Sequence, residues 1–182
     1  MEIKLAENDE ELMGILALQK ENHLETVSKE SNTDGFVTVK HTLDILKRMQ
    51  EGAKQVIAVD QGKVVGYAIV MLKEFRDLVP VLMPMFDKFE NVQYKGKKLS
   101  DHRYYVMGQV CVAKDYRGKG IFTGLYEKHR ESYSDRFDIC LTEVSTSNPR
   151  SIKAHAKVGF QTLHTFSDET DDWLIIGWDW RT

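Results

Sequence analysis

From residue 103 to residue 180 the sequence alternates between strand-like runs and helical stretches, and this order limits the fold more than any other feature. Strands are predicted over 103–112, 137–146, 160–166 and 173–180, and helices run from Gly120 to Tyr133 and from Pro149 to Gly159. Asn148 is a typical residue to cap the second helix, and Gly159 is typical of a helix end. Strands alternating with helices predict a mixed α/β sheet.

The first half of the chain adds to the same sheet. A strand is predicted over 2–6, helices over 9–24 and 38–51, and a polar loop over 28–35. A hairpin follows, with strands over 55–60 and 63–73 joined at Gln61-Gly62. Residues 74–102 have helical spacing over Leu78 to Phe89 that Pro80 and Pro84 interrupt, so they form an extra segment inserted between strands. We expect one domain over residues 1–182, with 74–102 as its insertion.

Composition excludes several classes of protein. The chain has 25 Lys and Arg against 28 Asp and Glu, a net charge of −3, which gives no basic excess for binding nucleic acid. No apolar run reaches the ~20 residues that cross a bilayer, and the first residues lack the apolar core of a signal peptide. We therefore expect a cytoplasmic protein that binds neither nucleic acid nor membranes. Cys111 and Cys140 have no metal-ligand spacing, so no metal site is expected.

The segment from Asp115 to Gly124 is the strongest local signal for a ligand. It is rich in glycine and lies between a strand and the helix that it begins, where backbone N–H groups can converge on a phosphate. A P-loop would need its lysine after the second glycine, whereas Lys119 precedes Gly120. A dinucleotide fingerprint would need its third glycine one residue before Gly124. The alternatives left are another phosphate site and an exposed turn without a ligand.

Two motifs resemble those of the GNAT superfamily of N-acyltransferases. The block from Val110 to Ile121 is similar to the family's acetyl-CoA-binding segment, whose pattern Gln/Arg-x-x-Gly-x-Gly/Ala is matched by Arg117 and Gly120. Phe122 replaces the small residue that ends this pattern. Asn148 to Phe160 resembles the second signature, in which an asparagine begins a helix that ends in Gly-Phe.

The resemblance implies a single GNAT-like domain, with a central, mostly antiparallel, twisted sheet flanked by helices. It implies acetyl-CoA as co-substrate and transfer of an acetyl group to the primary amine of a small molecule or peptide, by a protein that could be a homodimer. The backbone of a splayed strand would bind the pantetheine arm, and the glycine loop would bind the pyrophosphate. The implied cofactor-binding residues are Val110, Cys111, Val112, Arg117, Gly118, Lys119, Gly120, Ile121, Phe122, Thr123 and Asn148.

Glu143 is the residue that we expect to accept the amine proton. It is the only carboxylate between Ile139 and Val144, and strand alternation turns it away from Thr142. Its spacing from Asn148 resembles that of family members that acetylate protein N-termini. The alternative is a glutamate at the surface or at a sheet edge.

His155 is the expected proton donor, because many family members have a tyrosine at this place and an imidazole can protonate a thiolate. The alternative is a packed histidine without a catalytic role, and Asn148 could likewise be only a helix cap. Phe122 and His155 depart from the family pattern and so keep open a non-catalytic acyl-CoA-binding or sensor protein of the same fold. Glu143 argues against that alternative. An unrelated nucleotide binder is a third possibility.

Overall fold

The structure is a computed structural model that describes residues 1–23, 37 and 39–181. Its helices are α1 (Asp9–Asn22), α2 (Leu43–Gly52), α3 (Met83–Phe89), α4 (Ile121–Tyr133) and α5 (Pro149–Val158). Its strands are β1 (Glu2–Leu5), β2 (Val56–Asp60), β3 (Lys63–Met71), β4 (Gln93–Tyr94), β5 (Lys97–Lys98), β6 (Tyr104–Val112), β7 (Ile139–Ser145), β8 (Gln161–Ser167) and β9 (Asp172–Asp179). The predicted loop over 28–35 lies outside the described residues.

The longer strands form one seven-stranded sheet in the order β1-β2-β3-β6-β7-β9-β8. Strands β6 and β7 run parallel, whereas β1–β2, β2–β3, β7–β9 and β8–β9 pair in antiparallel fashion. The prediction of a mixed, mostly antiparallel sheet with helices is confirmed. By their contacts, residues group into two compact units, Met1–Met71 with Met107–Ser132 and Leu72–Val106 with Tyr133–Thr182.

The first unit carries the predicted hairpin and the segment around the glycine loop. Gln61 and Gly62 have φ angles of 49° and 76°, which suit a tight two-residue turn between β2 and β3. Helix α4 buries Leu125 completely. A Cβ atom on Gly124 would lie 2.5 Å from the Cδ1 atom of Ile3, so glycine lets α4 approach β1 closely.

The second unit contains the inserted segment. Two short 3₁₀ turns precede α3, and the β4–β5 hairpin follows it. Pro80 and Pro84 lie in first turns, where proline is tolerated, and so the predicted helix begins only at Met83. The Phe89 ring packs edge-on against Tyr104 with centroids 5.4 Å apart, which joins the insertion to the start of β6.

Over the residues that the structure describes, no helix combines the length and the apolar character that a membrane crossing requires.

Candidate functional site

The glycine loop lies between β6 and α4 in the first unit. Gly118 and Gly120 have φ angles of 76° and 81°, in the left-handed region that favours glycine. The Gly124 N–H donates to the Gly120 carbonyl at 3.0 Å. The N–H groups of residues 121–123 therefore belong to the first turn of α4, where the helix itself offers no acceptors. Such a turn suits a phosphate, because its N–H groups and the helix dipole both favour an anion.

The basic side chains of this loop contact the protein itself. The Arg117 guanidinium donates to the carbonyl of Val112 at 3.0 Å and to the Asn22 Oδ1 atom at 2.9 Å. Lys119 places its ammonium 5.0 Å from the centroid of the Tyr116 ring. These contacts shape the loop, so the backbone supplies the donors that are best placed for a phosphate. Direct contacts from Arg117 and Lys119 to a ligand stay predictions.

The end of β6 carries the residues expected along the pantetheine arm. Val110 and Val112 are half-buried, and Cys111 is buried between them. Burial raises the pKa of the Cys111 thiol to about 12. The sulfur is therefore protonated at neutral pH and is a poor nucleophile. Farther along, the Phe122 ring packs against Tyr126 on α4, with centroids 5.2 Å apart.

Sequence reasoning missed a buried polar cluster of Gln19, His41, Tyr67 and Gln109, which we call the Gln109 cluster. The Gln109 Oε1 atom accepts from the Tyr67 hydroxyl and from Gln19 Nε2, both at 2.7 Å. The Gln109 Nε2 atom donates to the Val39 carbonyl at 2.9 Å. The Gln19 Nε2 atom also lies 2.8 Å from His41 Nδ1. The sequence signal that could have indicated this cluster is the presence of polar residues such as Gln19 and Gln109 within otherwise apolar helices and strands.

Glu143 lies in the middle of β7 in the second unit, opposite Ile175 of β9. Burial, followed by the charge of Asp168, raises the pKa of the Glu143 carboxyl to about 7. Hydrogen bonds from the hydroxyl and N–H of Thr170 lower the pKa of Asp168 to about 2, so Asp168 is ionised at neutral pH. A carboxyl that titrates near neutral pH suits proton transfer in catalysis.

Asn148 begins α5 as predicted. Its Oδ1 atom accepts from the N–H of Ser151 at 3.2 Å, and Pro149 occupies the first turn. Gly159 ends the helix with a φ angle of 122°. The capping role of Asn148 is thus observed, and a contact from Asn148 to CoA stays a prediction.

His155 is buried on α5, with 2% of its surface exposed. Its Nδ1 atom lies 2.8 Å from the carbonyl of Ser151, which can only accept, so Nδ1 carries the proton. Burial lowers the pKa of His155 to about 4, so the ring is neutral at pH 7 and its Nε2 atom has no proton to donate. The role of proton donor stays a prediction, and these contacts disfavour it.

Among the residues that the structure describes, no group of three or more His, Cys, Asp or Glu could hold a metal ion.

Comparison with known proteins identifies the family. The model of the acetyltransferase (GNAT) family matches residues 21–160. The chain therefore belongs to the GNAT family of acetyltransferases. No curated protein matches its sequence.

Solved structures share the fold at low sequence identity. The protein smu.2055 from Streptococcus mutans UA159 is 17% identical over 99% of both chains, with a TM-score of 0.66. A ribosomal-protein-alanine N-acetyltransferase from Brucella melitensis is 18% identical over 98% of this chain and 99% of its own, with a TM-score of 0.63. The yncA protein from Salmonella typhimurium, solved with its cofactor acetyl-CoA, is 13% identical over 99% of this chain and 94% of its own, with a TM-score of 0.63.

Proposed function

We propose that this protein transfers an acetyl group from acetyl-CoA to the primary amine of a small molecule or peptide, and that Glu143 accepts the amine proton. The observation that carries the proposal is the pKa of about 7 that burial gives Glu143. A carboxyl with an ordinary pKa near 4 is a weak base, whereas a base that titrates at the working pH is best suited to take a proton from an ammonium group.

The glycine loop and the strand before it would bind CoA. The left-handed glycines Gly118 and Gly120 and the first-turn N–H groups of α4 support a pyrophosphate site at residues 117–123. Backbone groups of Val110 to Val112 would bind the pantetheine arm. The structure of yncA with its cofactor acetyl-CoA supports this choice of ligand.

The proton balance of the reaction needs one general base and no separate acid. An ammonium substrate loses one proton to the Glu143 carboxylate, and the free amine then forms the C–N bond while the C–S bond breaks. The second proton, released as the C–N bond forms, goes to the leaving sulfur. This route does not use His155, whose Nδ1 proton is held by Ser151.

The transfer would be direct, without an acetyl group on the enzyme. Cys111 is the cysteine on the strand that would bind CoA, and its pKa of about 12 keeps its sulfur protonated. A protonated thiol is not the nucleophilic form.

A screen that measures release of the CoA thiol tests the proposal and identifies the amine that accepts the acetyl group. The purified protein is mixed with acetyl-CoA and, in turn, amino acids, polyamines, aminoglycosides and peptides with free N-termini. We expect thiol release that depends on one class of amine, with an equal amount of acetylated amine detected by mass spectrometry. CoA binding by calorimetry without turnover of any amine would contradict the proposal and favour a non-catalytic acyl-CoA sensor.

A further inference from the structure

The last turn of α1 contacts the predicted CoA-binding segment at two places. Gln19 and Asn22 lie three residues apart, which puts them on the same side of the helix. Gln19 bonds to Gln109, the residue directly before Val110 to Val112. Asn22 bonds to Arg117, whose guanidinium also holds the carbonyl of Val112. The two polar links therefore flank the three strand residues expected along the pantetheine arm.

The first link has a fixed direction. The Oε1 atom of Gln19 accepts from the backbone N–H of His41 at 2.8 Å, so its Nε2 atom must be the donor to Gln109. Gln109 also accepts from Tyr67, and its own amide donates to Val39. The Gln109 side chain is thus held from α1, from β3 and from the residues before α2.

The second link is equally constrained. Asn22 donates from Nδ2 to the carbonyl of Leu18 at 3.0 Å, which turns its Oδ1 atom toward the guanidinium. The Asn22 carbonyl accepts from the N–H of Val37 at 3.1 Å. An uncharged amide oxygen that accepts from a guanidinium forms one of the stronger hydrogen bonds in proteins.

We propose that the last turn of α1 is a positioning element for CoA binding, with Asn22 acting through Arg117 and Gln19 acting through Gln109. The two links hold both ends of Val110 to Val112 in place before the ligand arrives, so less order has to be created on binding. This inference rests on the proposed function only in its choice of CoA as ligand, because it needs no amine and no turnover.

A double-mutant cycle on CoA affinity tests the inference. The dissociation constant of CoA is measured by calorimetry for the wild type, Asn22→Ala, Arg117→Lys and the double variant. Lysine keeps the positive charge but lacks the two separate nitrogens, Nε and Nη2, with which Arg117 donates to Val112 and to Asn22. We expect each single change to weaken CoA binding by roughly fivefold, and the double variant to be no weaker than Arg117→Lys, because both remove the same link.

Asn91→Ala is the matched control. Asn91 donates to the carbonyl of Asp87, four residues earlier, as Asn22 does to Leu18. We expect Asn91→Ala to leave CoA affinity unchanged. Melting temperatures show whether each variant is folded. If Asn22→Ala does not fold, Gln19→Met tests the inference instead, because it removes the hydrogen bond from Gln19 to Gln109.

Three results would overturn the inference: CoA affinity unchanged in Asn22→Ala, or additive losses in the double variant, or a wild type that binds no CoA. If Asn22→Ala is unfolded, unchanged affinity in Gln19→Met overturns it instead. A wild type that binds CoA but acetylates no amine refutes the proposed function and leaves this inference to be decided by the cycle.

Discussion

The glycine loop of the first unit and the β7–α5 region of the second unit depend on different parts of the chain for their proposed roles, the first on backbone and the second on side chains. In the loop, Gly118 and Gly120 set the backbone, and the basic side chain of Arg117 is occupied by Val112 and Asn22. In the β7–α5 region, side chains carry the proposed chemistry, and burial sets their protonation. Ligand binding by the loop should therefore depend mainly on its backbone and weaken only severalfold when a side chain such as Arg117 is changed, whereas the proposed chemistry of β7 should depend on one carboxyl.

Within the β7–α5 region, burial has opposite consequences for two titratable groups. It disfavours the charged form of each, and so raises the pKa of Glu143 to about 7 and lowers that of His155 to about 4. The first shift makes a carboxyl useful as a base at neutral pH. The second leaves an imidazole neutral. Burial alone thus does not identify a catalytic group, since the direction of the shift relative to neutral pH decides its use.

The largest effect is expected from Glu143→Gln. Loss of the base should lower kcat by about 10²–10³-fold while CoA affinity stays unchanged. Steady-state kinetics with the amine found in the screen, together with calorimetry of CoA, measures both. Glu169→Gln, an exposed carboxyl in the β8–β9 turn, is the control and should keep wild-type turnover. A rate within about threefold of wild type for Glu143→Gln would show that Glu143 is not the base.

Glu143→Gln should also be more stable than the wild type at mildly alkaline pH. The pKa of Glu143 is about 7 in the folded protein against an ordinary value of 4.5, so the folded state binds more protons between these values. Wild-type stability therefore falls as pH rises through this window, and that of Glu143→Gln does not. Melting curves should show the variant about equal to wild type near pH 4 and roughly 2 kcal/mol, or about 5 °C, more stable near pH 8. Equal melting temperatures at both pH values would contradict the raised pKa.

Gly120→Val tests the backbone side of the comparison. A β-branched residue at a φ angle of 81° is strained, and relief of that strain would turn the first-turn N–H groups away from the ligand. We expect CoA affinity to fall by about 30-fold in calorimetry.

Gly96→Val is the matched control for that substitution. Gly96 has a φ angle of 83° in the β4–β5 hairpin, and a Cβ atom there meets no other atom within 4 Å, as at Gly120. It should lose stability without losing CoA affinity. Undiminished CoA binding by Gly120→Val would show that the glycine loop is not part of the CoA-binding site.

The smallest effect on rate is expected from His155→Phe. Because the Nδ1 proton of His155 is held by Ser151, kcat should stay within about threefold of wild type. Loss of that hydrogen bond should lower the melting temperature at pH 7 by about 3 °C. The deficit should shrink toward pH 5, because the wild type loses stability as pH falls through the window between 6.5 and about 4. A loss of rate near 10²-fold with a normal melting temperature would restore His155 as the proton donor.

Local signals predicted the order of elements well. Helix α5 begins at Asn148-Pro149 and ends at Gly159, and the hairpin turn lies at Gln61-Gly62. Such features can be predicted because capping and turn residues act over a few positions. The insertion was harder, because Pro84 moved the start of α3 instead of breaking a longer helix. Sequence reasoning gave helices that differ from the observed ones mainly at their ends.

Candidate site residues could be named from the sequence, and their roles stay predictions, but their electrostatic surroundings could not be predicted. The charge that acts on Glu143 belongs to Asp168, and the proton acceptor of His155 is a carbonyl of its own helix. Neither partner can be read from a motif. The Gln109 cluster was missed for a similar reason, because Gln19 and Gln109 lie 90 residues apart in the chain.

The pH dependence of kcat/KM for the amine tests the central claim most directly, because this ratio reports the groups of the enzyme before the amine binds. It is measured at saturating acetyl-CoA from about pH 5.5 to pH 8.5 for the wild type and Glu143→Gln, so that the titration of the amine itself is common to both. We expect wild-type kcat/KM to rise with pH along a limb with an apparent pKa near 7, because Glu143 must be ionised to accept the proton. The residual activity of Glu143→Gln should lack this limb. The same limb in both proteins, or its absence from the wild type, would contradict the assignment of Glu143 as the base.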